Sequence, residues 1–146
     1  MDDSETPVFP DGLPDESVAE ILRGMKRVAV VGISDKPERA SHGITKFLVG
    51  LGVEVFGVNP MLEAVLGVKV YPDLADVPGP IDVVDVFRRS ETVPPVVDAA
   101  IAAGAACVWM QEGVVHEAAA GAARDAGLDV IMDRCLYKEW LRLLNG

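Results

Sequence analysis

Cysteine is scarce in this 146-residue chain. Cys107 and Cys135 are the only two, far apart and in neither metal-ligand nor CxxC spacing, so a disulfide framework or a metal site is unsupported and a reducing cytoplasm is the expected location. Long apolar runs are also missing. The longest uncharged stretch near an apolar patch runs from Ala99 to Gln111, well under the eighteen or so residues of a membrane span. Basic residues are absent from the first twenty positions, which hold seven acids (Asp2, Asp3, Glu5, Asp11, Asp15, Glu16 and Glu20). That start lacks the basic and apolar regions of a signal peptide and the Arg-rich amphipathicity of a transit peptide. It reads as a solvated acidic tail over residues 1–14, followed by one domain over 15–146.

Half of the residues are apolar and a quarter charged, with a mean hydropathy of +0.28, which excludes a disordered or collagen-like chain. The balance of 13 Lys and Arg against 23 Asp and Glu gives a net charge of −10. This argues against a nucleic-acid coat or an anionic membrane surface as partner. Because the excess is concentrated in the first twenty residues, the rest of the chain is much closer to balance.

Short β-branched runs alternate with helical stretches. Val28–Ile33, Val53–Val58, Val83–Phe87, Cys107–Met110 and Asp129–Met132 read as strands, with a minor one at Val68–Tyr71. Continuous rather than alternating apolar character marks parallel strands covered on both faces. Helices are expected over Asp15 to about Gly24, capped by Asp15 or Ser17, and over Gly43–Leu51, Val93–Ala103, Val115–Ala126 and Leu136–Leu144. Gly52, Gly104 and Gly127 stand where helices should stop. The pattern is α/β: a Rossmann-like, doubly wound, mainly parallel sheet with helices on both faces.

In such a sheet, ligands bind outside the carboxyl ends of the strands. After the first strand comes Gly32-Ile33-Ser34-Asp35-Lys36-Pro37-Glu38-Arg39-Ala40-Ser41-His42-Gly43. It is not the GxGxxG dinucleotide fingerprint, and the second strand ends in Asn59-Pro60 without the acid that holds a dinucleotide ribose. Both losses count against NAD. Ser34, Ser41 and the helix-opening amides can instead donate to phosphate oxygens, with Lys36, Arg39 and His42 adding charge; the alternative makes Lys36 and Arg39 solvated loop charges. Phe87-Arg88-Arg89 and Trp109-Met110-Gln111-Glu112-Gly113 leave neighbouring strands at the same edge. One of Arg88 and Arg89 should face away, and Lys46, inside a helix, has a solvent-facing alternative. His116 reads as a cap or surface residue, Cys107 as core, and Trp140 as packing the last helix with Leu136, Leu141 and Leu144. Cys135 is either a half-buried helix-start residue or a thiol placed to exchange with a ligand thiol.

The ordered set VAVVGISDKPERASHG, VNP, EAVLGVKVYPDL, IDVVDVFRR, VWMQEG and DRC resembles the small stand-alone CoA-binding proteins, similar to the CoA-binding domain of the succinyl-CoA synthetase α subunit. The resemblance covers residues 15 to 144. It implies that Gly32, Ile33, Ser34, Lys36 and Arg39 line the CoA diphosphate and 3′-phosphate region, with His42 nearby. Asn59 and Pro60 would lie against adenine or ribose, Phe87 and Arg88 would form the opposite wall, and Gln111, Glu112 and Gly113 the pantetheine side. The synthetases work through a phosphorylated histidine on a further domain, for which no residue here matches. The expectation is non-covalent binding of coenzyme A or an acyl-CoA without self-contained catalysis, with a protein partner or homo-oligomer left open. The alternatives are the CoA-binding part of an acyl-CoA ligase working with a separate partner, or a small NAD(P)-dependent oxidoreductase.

Overall fold

A computed structural model describes residues 8–144 of the chain. Among them the elements run α1 (Asp15–Gly24), β1 (Arg27–Val31), α2 (Ala40–Gly50), β2 (Glu54–Val58), β3 (Ala64–Val65), β4 (Val68–Tyr71), β5 (Val83–Val86), α3 (Val93–Ala102), β6 (Cys107–Met110), α4 (Glu117–Asp125), β7 (Asp129–Ile131) and α5 (Leu136–Leu143). The strands form one sheet in the order β3-β4-β2-β1-β5-β6-β7. Every neighbouring pair is parallel except β3 with β4. This is the expected Rossmann-like architecture, and its strand order reverses at β1, with β2 on one side and β5 on the other.

The apolar runs are continuous because both faces of the sheet are covered. Ala29, Val31, Val84, Val86, Val108 and Met110 pack with Val93 and Val97 of α3 and Ala119, Ala120 and Ala123 of α4. Val28, Val30, Val83, Cys107 and Trp109 pack with Val18 and Leu22 of α1, Ile44 and Leu48 of α2 and Leu136 of α5. Three helices therefore lie on one face and two on the other. The glycines expected after α2, α3 and α4 all take positive φ, which stops each helix with one or two residues between the glycine and the next strand.

Four local expectations are corrected. Helix α2 starts at Ala40, three residues before Gly43, because Arg39 takes the extended cap position. Neither Asp15 nor Ser17 caps α1: Pro14 occupies the cap position, and the Asp15 carboxylate accepts from Arg142 at 2.9 and 3.0 Å. The two-residue strand β3 was not foreseen. Leu141 is exposed, whereas Trp140 packs edge-on against Phe47 of α2.

The acidic start is also more than a solvated segment where it is described. Residues 1–7 lie outside the described part, but the Asp11 side chain is fully buried against Arg134. Its Oδ1 accepts from Arg134 Nη2 at 2.5 Å and its Oδ2 from Arg134 Nε at 2.9 Å and the Met132 amide at 2.8 Å. Arg134 also donates to Glu139 and lies over the Phe9 ring, 4.0 Å from its centroid. Arg142 joins Glu139 to Asp15. A charge network, buried at Asp11, Arg134 and Glu139 and exposed at Asp15, thus fastens the segment before α1 to the β7–α5 junction.

Candidate functional site

The carboxyl edge of the sheet opens into a cleft of about 600 Å³ at the point where strand order reverses. It is lined from four strand exits: Gly32, Ile33, Ser34, Arg39, Ala40 and Ser41 after β1, Asn59 after β2, Phe87, Arg88 and Arg89 after β5, and Gln111, Glu112 and Val114 after β6, with Cys135 from the β7–α5 junction. A cavity of about 270 Å³ opens beside Val31, Val58, Pro72 and α3, and Arg88 borders both.

The floor of the cleft is set by close backbone approach. Gly32 has φ +89°, and a Cβ there would lie 2.3 Å from the Phe87 carbonyl oxygen. Only glycine lets β1 turn out of the sheet while β5 exits beside it. Ile33 then turns into the core and is fully buried, in space left by Gly57, where a Cβ would meet two Ile33 carbons at 2.9 and 3.0 Å. Asn59 Nδ2 donates to the Ile33 carbonyl at 2.8 Å, and Asn59 Oδ1 accepts from the Met61 amide at 2.8 Å. Asn59 is therefore both the turn initiator of its loop and the tie between the β1 and β2 exits. A neutral residue stands at the position where a dinucleotide site has an acid.

The side of the cleft formed by α2 has the chemistry of an anion site. The helix opens at Ala40 and Ser41 with no side-chain cap, so its first amides carry the unsatisfied donor character of a helix start. Ser34 Oγ accepts from the Lys36 amide at 3.1 Å, folding the loop back on itself. Arg39 and Arg88 have no carboxylate within 4 Å among the described residues, whereas Arg89 stands 4.0 Å from Glu91 with its side chain almost fully exposed. The acid that does border the cleft, Glu112, is engaged by Lys138 at 2.9 Å. The lining thus carries two arginines, Arg39 and Arg88, without a carboxylate partner among the described residues, although the whole chain is acidic.

Beneath the opposite wall lies a polar group that the sequence reading missed. Asp85, in the middle of β5 between Val30 and Trp109, is fully buried; its Oδ1 accepts from Gln111 Nε2 at 2.7 Å and its Oδ2 has no partner. Burial pushes its carboxyl up to about 8, against the lowering effect of the Gln111 hydrogen bond. The pair fixes the buried Gln111 side chain at the cleft wall. An acid interrupting the apolar run VVDVF was the available signal.

Ten of the fourteen expected site residues line the cleft; Lys36, His42, Pro60 and Gly113 do not. Lys36 and Pro60 are exposed on their loops. His42 lies in the first turn of α2, its amide donating to Arg39. Gly113 donates its amide to Asp133 at 2.7 Å, which pins the β6 exit from behind. Lys46 is exposed outside the cleft, and His116 caps α4, its Nδ1 accepting from Ala119 at 3.1 Å. Ala40, Arg89, Val114 and Cys135 complete the lining. No helix among the described residues is long and apolar enough to cross a membrane.

Comparison with known proteins gives the family. The CoA binding domain family matches residues 26–140, from the start of β1 into α5. The chain belongs to that family. An uncharacterized Bacillus subtilis protein, YneT, is 44% identical over 119 residues, covering 82% of this chain and 88% of its own. A hypothetical protein from Pyrococcus horikoshii superposes with a TM-score of 0.91 at 41% identity, covering 96% of this chain and 99% of that one. A dinucleotide-forming acetyl-coenzyme A synthetase from Ca. Korarchaeum cryptofilum aligns with a TM-score of 0.65 at 26% identity, over 74% of this chain but 26% of its own. The family's fold thus occurs both as a nearly whole small protein and as a quarter of a large synthetase.

Proposed function

We propose that this protein binds coenzyme A or an acyl-CoA non-covalently in the cleft at the carboxyl edge of the sheet, without catalysing a reaction of its own. The observation that carries the reading is the pairing of uncompensated Arg39 and Arg88 with a neutral Asn59 in a cleft within the size range of small-molecule sites. The phosphates take the first amides of α2, Ser34, Ser41 and Arg39. Lys36 adds charge from the same loop, outside the lining, and His42 offers its imidazole as a neutral donor. The adenosine half lies toward Asn59 and Pro60. Phe87 and Arg88 form the facing wall, with Gln111, Glu112 and Gly113 along the pantetheine arm.

Charge explains the preference over NAD. CoA carries a phosphate on its ribose, which the ribose-binding acid of a dinucleotide site would repel and which Asn59 does not. The donor set fits this ligand: helix-start amides, hydroxyls and guanidinium groups are phosphate ligands. Titration calorimetry of CoA into the wild type and into Arg39→Ala tests the assignment. Micromolar binding that weakens roughly ten- to a hundredfold on losing one charge-assisted contact is expected. Equal affinity in both proteins would remove the phosphates from α2.

A further inference from the structure

A second concavity adjoins the cleft and differs from it in chemistry. It has a volume of about 320 Å³ and is lined by Ala40, Gly43, Ile44, Phe47, Cys135 and Tyr137. The first four are spaced i, i+3, i+4 and i+7 along α2, so they form one stripe of that helix. Tyr137 of α5 closes the far side, its ring meeting Phe47 edge-on at 4.9 Å. Ala40 and Cys135 belong to both concavities, so the groove is a continuation of the cleft between α2 and α5. No charged side chain lines it.

We infer that this groove takes the acyl chain of a medium-chain acyl-CoA, making the thioester rather than free CoA the preferred ligand. The inference rests on the reading of the cleft as a CoA site. Continuity with the cleft at Cys135, which borders the cleft together with Glu112 of the pantetheine side, makes an apolar extension of the ligand's thiol end its natural occupant. A second copy of the chain is disfavoured by size. Six residues around a groove of this volume fall far short of the roughly 800 Å² per partner that a stable protein interface buries.

Gly43 provides a clean test. It lies within α2 without positive φ, and a Cβ built there meets nothing within 4 Å. Gly43→Leu therefore places its Cβ without a clash on the groove's lining stripe, adds apolar bulk there, and replaces a poor helix former with a good one. Calorimetric titration with CoA, acetyl-CoA, butyryl-CoA and hexanoyl-CoA should show affinity rising roughly two- to fourfold per added methylene in the wild type. In Gly43→Leu that rise should disappear, while affinity for CoA stays within about twofold. Wild-type affinity independent of chain length, or a chain-length series that Gly43→Leu leaves unchanged, would overturn the inference while leaving the CoA site standing. A wild-type dimer in sedimentation that Gly43→Leu converts to monomer would overturn it too, assigning the groove to a second copy. Failure of all four ligands to bind would instead reject the CoA reading beneath it.

Discussion

Replacing Asp85 with asparagine should make the protein's stability far less sensitive to a rise in pH between about 4 and 8. In the native fold the carboxyl is fully enclosed, with one oxygen held by Gln111 and the other unpartnered. Burial raises it from 3.8 to about 8. In the unfolded chain the same group ionises near its ordinary value, so between roughly pH 4 and pH 8 the folded state binds the extra proton. Stability therefore falls as pH rises through that window and levels off above it, at about 1.4 kcal/mol per pH unit for one proton. From about pH 5 to about pH 8 this amounts to roughly 4 kcal/mol, an upper figure because a buried site relaxes when charged. Asp85→Asn keeps the oxygen that accepts from Gln111 and cannot ionise. Its own cost, an NH2 in place of the unpartnered oxygen, is about 1–3 kcal/mol and independent of pH. Urea denaturation of both proteins at the two pH values isolates the effect, since carboxylates distant from the site cancel in the difference. The variant should gain several kcal/mol relative to wild type on going to the higher pH. A difference that stays constant would show that Asp85 is ionised in the fold, and the buried-acid reasoning would be wrong.

Asp11→Ala should cost about 3–5 kcal/mol, because it leaves the buried Arg134 guanidinium without its main partner; a loss under about 1 kcal/mol in urea would mean that the segment before α1 is dispensable. Gly32→Ala should destabilise by more than 2 kcal/mol, from positive φ and from the 2.3 Å approach to the Phe87 carbonyl. A thermal midpoint unchanged by that substitution would show that the β1 exit can move.

The sheet was legible because its strands are continuous apolar runs and its helices stop at glycines, both consequences of a parallel sheet covered on two faces. The β1 exit was legible for a different reason. Gly32, Ser34, Arg39 and Ser41 stand together in one sequence segment and are brought to one cleft by one loop. Lys36 and His42 share that segment but fall outside the lining, because the loop's turn at Ser34 and the early start of α2 at Ala40 decide which side chains face inward. Neither turn has a strong sequence signature. The Asp11–Arg134 pair was unreadable because its partners are 123 positions apart, and an acidic Pro-containing start looks the same whether solvated or pinned. Asp85 was visible as a lone acid in an apolar strand. Its meaning depends on Gln111, which only the register of β5 against β6 brings beside it.

The net charge of −10 argues against a polyanionic partner only while it is treated as a property of the whole surface. The fold spends Asp11 and Asp15 on Arg134 and Arg142 and pairs Glu112 with Lys138. Among the described residues, Arg39 and Arg88 remain without a carboxylate partner at the cleft. Charges beyond a Debye length of about 8 Å are screened at physiological salt, so the local sign decides which small ligand enters.

The central claim is that this cleft recognises CoA through its phosphates, including the one on the ribose. Calorimetric titration of the wild-type protein with CoA, dephospho-CoA and NAD at one ionic strength tests it most directly. CoA should bind at micromolar affinity, dephospho-CoA at least about tenfold more weakly for the loss of a charge-assisted contact, and NAD more weakly still. NAD binding as tightly as CoA, or dephospho-CoA binding no more weakly, would contradict the account.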